Sequence, residues 1–272
     1  MHLRFLAPIK ENPKPTSRDQ VLSLLSHEWP LTPKQIHHAL TRQNGFDGTY
    51  QAVHKTLQQL ETEGMLEKTD KQYQLSFSWI RQTQTALQAI EKQYLDKISH
   101  HEHTLTFHSI YETDVFLINL VYTKTDYTKN NGVMALQWNH FWVPFMLAYP
   151  EYQKIEKFFL KYDVHSTTNA DTPLDRWCHK FWQRLHIKTQ YGAPYSSNHG
   201  LLVFQDYVAH VFYPDEFIRQ MDDFYTKTKK VSDANLDQLV ELFHAPRTIP
   251  VTINQNKALA DQLKQQILSY YK

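Results

Sequence analysis

Residues 49–75 read TYQAVHKTLQQLETEGMLEKTDKQYQL, and this stretch decides the fold of the amino-terminal part of the chain. Its first half predicts a helix over residues 48–63, because apolar side chains recur at helical spacing on one face. These side chains are Val53, Leu57 and Leu60. Gly64 favours a left-handed end to that helix. The second half alternates between apolar and polar residues and predicts a two-stranded hairpin with a polar turn at residues 69–71.

Two shorter helices are predicted upstream of this stretch. Ser17 and Gln20 have the spacing of a capping box, and the helix that they begin is expected to end near Trp29. Thr32-Pro33 begins the second helix, with proline at the first helical position. Three helices followed by a hairpin predict a winged helix-turn-helix domain over residues 1–80, with the chain turning back on the helices near Trp79-Ile80.

The motif from Thr49 to Leu57, continued from Leu60 to Leu75, resembles the recognition helix and wing of archaeal winged-helix transcriptional regulators. This resemblance covers about the first third of the chain. It implies a DNA-binding fold in that part.

The third predicted helix also carries a polar stripe on the side away from its apolar face. In a major groove, glutamine can pair with adenine, and lysine can reach guanine or phosphate. Basic residues on the hairpin and the second helix would contact the surrounding phosphates. The candidate DNA-binding residues are Lys34, Arg42, Thr49, Tyr50, Gln51, His54, Lys55, Gln58, Lys68 and Lys71.

Charge leaves two alternatives open for this stripe: a solvated helix face, or a winged helix that docks another protein. Residues 1–80 carry 9 Lys and Arg against 8 Asp and Glu, a balance of +1, and the whole chain is also +1. Double-stranded DNA binding therefore has to rest on local patches of charge rather than on net charge.

Residues 81–103 are predicted to form a connecting or dimerising helix that ends in a polar boundary. Leu87, Ile90, Tyr94 and Ile98 follow a near-heptad stripe, which favours a homodimer. Residues 100–103 read HHEH, which we interpret as a polar linker. Metal binding is the alternative, but the His-Glu-x-x-His spacing of zinc hydrolases is missing.

Beyond residue 103 the pattern alternates between strands and helices, which predicts an α/β domain over residues 104–272. We expect parallel crossovers together with one antiparallel pair, so the chain as a whole is an α+β multidomain protein. Its predicted strands are 104–107, 133–138, 162–166, 187–191, 201–204, 207–213 and 249–253. This domain is expected to dimerise or to sense a small-molecule effector.

His199, Leu201 and Asp206 have the spacing of the His-x-Lys-x-x-x-x-Asp signature of phospholipase D-like enzymes. The cation that would neutralise phosphate oxygens is replaced by Leu201, and the chain holds no second copy of the motif. The segment thus resembles a phospholipase D-like domain that has lost catalysis, as in archaeal regulators of the TrmB type. That resemblance implies no enzymatic activity. A phosphodiester-acting enzyme with a winged helix as its targeting module is the alternative.

Amino-acid composition reduces the number of protein classes to which the chain can belong. The 272 residues contain 41% hydrophobic residues and a single cysteine, Cys178, which predicts a buried thiol in a reducing cytoplasm. Apolar runs are too short to cross a bilayer, residues 1–10 lack a cleavable signal, and no glycine-rich nucleotide motif occurs, so no membrane or cofactor is expected. The aromatic residues are assigned to the core. An apolar ligand pocket is the alternative for the segment from Trp138 to Phe145 and for Trp177, Phe181 and Trp182, with polar-tipped candidates at Trp138, Asn139, His140 and Trp142.

Overall fold

The computed structural model describes residues 15–42, 46–97, 102–141, 144–195 and 199–271. The chain divides into two compact units, Met1–Glu91 and Lys92–Lys272. The sequence placed domain boundaries at residues 80 and 103. No helix among the described residues is long and apolar enough to cross a membrane.

The first unit contains the three predicted helices followed by the predicted hairpin. Its elements are α1 (Ser17–Leu25), α2 (Pro33–Arg42), α3 (Tyr50–Thr62), β1 (Leu66–Thr69) and β2 (Gln72–Leu75). The two strands are antiparallel, and Leu31, just before α2, adds an antiparallel bridge to Tyr73. The apolar face of α3 is buried as expected, and Gly64 has the predicted left-handed conformation with φ +74°.

The first helix differs from the prediction at both ends. Its capping box is formed by Thr16 and Asp19, not by Ser17 and Gln20, because a carboxylate is a stronger acceptor for the Thr16 N–H than an amide. The helix ends at Leu25 rather than near Trp29. Trp29 precedes Pro30, and a residue before proline is disfavoured in helical conformation.

The connecting helix α4 (Phe77–Lys97) begins four residues earlier than predicted. The Ser76 hydroxyl accepts the Trp79 N–H at 3.4 Å and caps its first turn. Trp79 and Ile80 therefore lie inside a helix instead of folding back. Leu87, Ile90 and Tyr94 of the predicted stripe are exposed, whereas Ile98, His100 and His101 lie outside the described residues.

The second unit is built on a seven-stranded mixed sheet, so parallel and antiparallel pairing occur together as predicted, but four strand pairs among the described residues are antiparallel where one was expected. The strands are β3 (His103–Phe107), β4 (Val133–Trp138), β5 (Asp163–Thr168), β6 (Lys188–Gln190), β7 (His199–Phe204), β8 (Tyr207–Phe212) and β9 (Ile249–Gln255). Their order is β3-β9-β8-β7-β4-β5-β6. Neighbours in β4-β5-β6 are parallel, and the other pairs are antiparallel.

Helices cover both faces of this sheet. They are α5 (Ile110–Lys124), α6 (Tyr149–Phe159), α7 (Pro173–Trp182), α8 (Asp215–Lys227), α9 (Leu236–His244) and α10 (Lys257–Leu268). Alternation along β7 separates two cores: Leu202 and Phe204 pack with the helices from α5 to α9, whereas Leu201 and Val203 pack with α10. Gly200 in β7 lies directly against the ring of Trp138, where a Cβ atom would overlap the ring.

Candidate functional site

The polar face of α3, defined by Gln51, His54, Lys55 and Gln58, lies opposite the buried side of the helix. Gln51, Lys55 and Gln58 are exposed and His54 is half-buried. No acidic residue occurs from residue 49 to residue 60. The acidic residues of this helix lie at its carboxyl end, where Glu63 forms a 2.7 Å ion pair with Arg18. The amino-terminal half of the polar face is therefore amide-rich and positive.

Thr49 and Tyr50 complete the amino end of α3. The Thr49 side chain accepts the Ala52 N–H at 3.2 Å and caps the helix. Its hydroxyl hydrogen can still be donated to a phosphate, and a helix amino terminus favours an anion. The Tyr50 ring lies edge-on to His37 of α2, with centroids 5.9 Å apart, and 6.2 Å from the ring of His54. Tyr50 thus joins α2 to the polar face of α3.

The predicted phosphate-contacting residues of α2 lie on one side of that helix. Lys34, His38 and Arg42 are exposed and spaced by four residues, so they share a face. All three border the same surface groove, which also contains Glu28 and Gln35. Only Lys34 and Arg42 were identified from the sequence as DNA contacts.

The hairpin β1–β2 carries the two other predicted cations. Lys68 and Lys71 are exposed on either side of the turn, and Asp70 at the tip has φ +56°. The Lys68 ammonium group lies 5.5 Å from the centroid of the Tyr73 ring. An exposed lysine pair at a hairpin tip can contact phosphates without base selectivity.

The structure does not bring the two residues of the degenerate motif together. His199 begins β7, and Asp206 lies in the turn after it. The strand places His199 and Phe204 roughly 17 Å apart, so the two motif side chains lie at opposite ends of the strand. His199 instead stacks on His210 of the paired strand, with centroids 5.4 Å apart. Burial lowers the pKa of His199.

A buried cluster around His140 was missed by the sequence analysis. Nδ1 of His140 lies 3.1 Å from the Asp175 carboxylate, and Nε2 lies 2.9 Å from the Asp222 carboxylate. His140 and Asp175 are buried, whereas the Asp222 side chain is 56% exposed. The imidazole therefore links the end of β4 to α7 and α8.

Asp175 is held by more than this histidine. It accepts the Phe141 N–H at 2.7 Å and the Thr172 hydroxyl at 2.7 Å, and it forms the capping box of α7. The Thr-x-x-Asp spacing was readable in the sequence as a helix start. That the same carboxylate faces His140 depends on how α7 packs against the end of β4.

Two opposing effects act on the pKa of His140. Burial lowers it, but hydrogen bonds to Asp175 and Asp222, together with their negative charges, outweigh burial and raise the pKa above its ordinary value. Only the doubly protonated ring can donate to both carboxylates. The contacts with both carboxylates and the raised pKa therefore favour the protonated form of the buried His140 ring.

The other candidates from the sequence have simpler positions. No group of three or more His, Cys, Asp or Glu residues in the described part of the chain could hold a metal ion. Glu102 is exposed and His103 begins β3. Cys178 is buried, as predicted, and burial raises the pKa of its thiol.

The aromatic and neighbouring candidates lie in different sites of the structure. Trp138 and Trp182 line an apolar cavity, while His140 belongs to the buried cluster. Asn139, between Trp138 and His140 in the sequence, has a buried side-chain oxygen that finds no hydrogen-bond partner among the described residues. Trp142 lies outside the described residues.

Comparison with known proteins adds little. No protein-family model and no curated protein matches the chain. Among solved structures, the chain is similar to TrmBL2, described as an archaeal chromatin protein whose structure shows a novel mode of DNA binding. The similarity covers 93% of this chain and 91% of TrmBL2, with 8% identity and a TM-score of 0.35. At these values the likeness carries no inference about what this chain does.

Proposed function

We propose that this protein is a sequence-specific transcriptional regulator whose first unit is a winged helix that binds double-stranded DNA in the cytoplasm. The observation that carries the proposal is the polar face of α3, which is exposed and free of acidic residues from residue 49 to residue 60. Its opposite face is anchored in the core by Val53, Leu57 and Leu60. A helix held in this way can enter a major groove without losing its own packing.

Each group of polar residues has a separate role in this proposal. Gln51, Lys55 and Gln58 contact base edges, because amide and ammonium groups match the donors and acceptors of the major groove. Lys68 and Lys71 hold the backbone from the hairpin, and Lys34 and Arg42 hold it from α2.

The proposal includes a homodimer. Leu87 and Ile90 are exposed on α4 by 37% and 56%, at the spacing of a two-helix seam. A second copy of the chain is the occupant that such a seam favours, since two copies would place two winged helices on one DNA site.

In the second unit, the proposal assigns no catalytic role to His199 and Asp206, which lie at opposite ends of β7. This unit would instead serve dimerisation or effector binding, as an inactive phospholipase D-like domain.

The test is selection of duplex DNA by the full chain, followed by mobility shifts across a salt series. Gln51→Ala is expected to relax preference at one base pair by about 1–3 kcal/mol. Lys71→Ala is expected to weaken binding to all sequences and to lower the salt slope by about 0.9. Gln153→Ala and Lys157→Ala remove the same groups from exposed positions of α6 and should change neither quantity.

The selected sequence also tests the dimer. Two half-sites separated by roughly 10 base pairs, or a multiple of that spacing, would support two copies. A single half-site would contradict the dimer while leaving the winged helix in place. If neither Gln51→Ala nor Lys71→Ala changes retention, the DNA interface is wrong, and a phosphodiesterase activity that is lost in His199→Ala would establish the enzyme alternative.

A further inference from the structure

The second unit contains an apolar cavity of about 120 Å³ between α5, α6 and the sheet. Aliphatic and aromatic side chains form nearly all of its wall. The side chains of this wall include those of Leu117, Met134, Trp138, Phe158 and Trp182. An engineered apolar cavity of about 150 Å³ in another protein binds benzene, so this somewhat smaller cavity is close to the size that a single small ring needs.

One carboxyl group interrupts this apolar wall. Asp114 of α5 lines the cavity, and among the described residues the other polar side chain of the wall is the neutral Ser166. Asp114 is half-buried, and protein atoms crowd around its carboxyl group. Within the part of the chain that the structure describes, Asp114 forms no ion pair and no hydrogen bond through its side chain. Burial raises the pKa of Asp114 well above its ordinary value.

This placement is unusual for a residue that only packs in a core. Aspartate is almost never buried without a partner, because an unpaired carboxylate in apolar surroundings is strongly disfavoured. By contrast, Asp175 in the same unit accepts hydrogen bonds from Phe141 and Thr172. Among the described residues, the Asp114 carboxyl group therefore has no partner. A molecule bound in the cavity can supply one.

We propose that this cavity binds a small apolar primary amine, whose ammonium group donates hydrogen bonds to the Asp114 carboxylate. The ring or alkyl part of the ligand lies against the apolar wall. Rings of Trp138, Phe141 and Trp182 also favour a cation over an anion, since the faces of aromatic rings are negative. The inference is independent of DNA binding, because it concerns the second unit alone.

Calorimetric titration of the full chain with benzylamine, benzyl alcohol and benzoate tests the proposal. The three probes share one ring and differ in the charge of the attached group. Benzylamine is expected to bind with a dissociation constant below about 1 mM, at least about tenfold more tightly than benzyl alcohol, and benzoate most weakly. Absence of saturable benzylamine binding, or equal affinity for the three probes, would overturn the proposal.

Substitution of Asp114 is the second part of the test. Asp114→Asn keeps the shape of the side chain and is expected to weaken benzylamine binding at least about tenfold while changing benzyl alcohol binding by less than about threefold. Asp237→Asn makes the same exchange at an exposed position of α9 and should change neither. Unchanged benzylamine affinity in Asp114→Asn would refute the role of Asp114. Should that variant fail to fold, the order of the three probes on the natural chain still decides the question.

Discussion

The two units place their polar side chains in opposite ways. In the first unit, the buried core consists of aliphatic residues and Tyr73, and the amide and basic groups of α3 lie outside. In the second unit, His140 and Asp175 are buried together, and Asp114 lines an apolar cavity. Exposed groups exchange protein contacts for water at little cost, whereas buried groups depend on particular partners. Substitutions should therefore change DNA binding in the first unit and stability or ligand binding in the second.

The largest expected effect is at Asp175. Asp175→Ala removes one of the two carboxylates that contact the buried His140 ring, together with the acceptor of the Phe141 N–H, so it should lower the stability of the second unit by about 3–5 kcal/mol. Native-state hydrogen exchange of the sheet amides measures this change within the whole chain. The control is Asp171→Ala, which breaks the exposed pair with Arg176 and should cost less than about 1 kcal/mol. Equal losses at the two positions would contradict the contrast between buried and exposed charges.

A smaller loss is expected at Gly200. Gly200→Ala places a methyl group on the ring of Trp138 and should destabilise the second unit by about 1–3 kcal/mol, through overpacking. Trp138→Phe shortens the ring, so Gly200→Ala should cost less in that background. A double-mutant cycle by hydrogen exchange measures the coupling, and strictly additive losses would show that the overlap is relieved in another way.

The buried cluster also predicts a dependence on pH. The pKa of His140 is raised in the folded chain, so the stability that the cluster contributes is complete below the unfolded pKa of about 6.5 and is lost as pH rises through the folded pKa. Asp222→Asn removes one of the two charges that raise this pKa and should shift the loss to lower pH. Urea unfolding from pH 5 to pH 9 measures the profile. Asp223→Asn, whose side chain pairs with Lys227, is the neighbouring control and should leave it unchanged.

The smallest expected effect on stability is on α3. Gln51→Ala should change the stability of the first unit by less than about 0.5 kcal/mol, since the side chain is exposed and the buried face is untouched. The loss of the Gln51 amide should instead be visible as a weaker preference for one base pair in DNA binding. Destabilisation above about 1 kcal/mol would mean that Gln51 is structural, which would break the comparison between the units.

Most of the regular structure was predictable because it follows local patterns. The strand 133–138 was placed at its observed bounds, and the start at Thr32-Pro33 correctly marked α2. Errors arose where two signals competed within a few residues. Ser17 and Gln20 were chosen over Thr16 and Asp19, and Trp79-Ile80 was separated from the helix that contains it. Local capping energies differ by only about 1 kcal/mol, which is too little to separate neighbouring alternatives from sequence alone.

The candidate sites differ in the same respect: some consist of residues that are close in the sequence, and others bring together residues that are far apart. Every proposed DNA-contacting residue lies on α2, on α3 and its cap, or on the hairpin, because neighbours on one helix or one turn are neighbours in sequence. The cluster of His140, Asp175 and Asp222 spans 82 residues of sequence and has no such signature. His199 and Asp206 are a contrary case: they are close in sequence, but an extended strand separates them.

By itself, the sequence determined the order of the elements, the two-sided character of α3 and the mixed sheet, since each depends on periodicity and turn chemistry over short distances. Tertiary structure alone decided which buried groups meet. It paired His140 with two aspartates from different helices, and it left Asp114 facing an apolar cavity. The physical reason is that packing brings together residues far apart in the chain, and burial then sets the free energy of each charge that they carry.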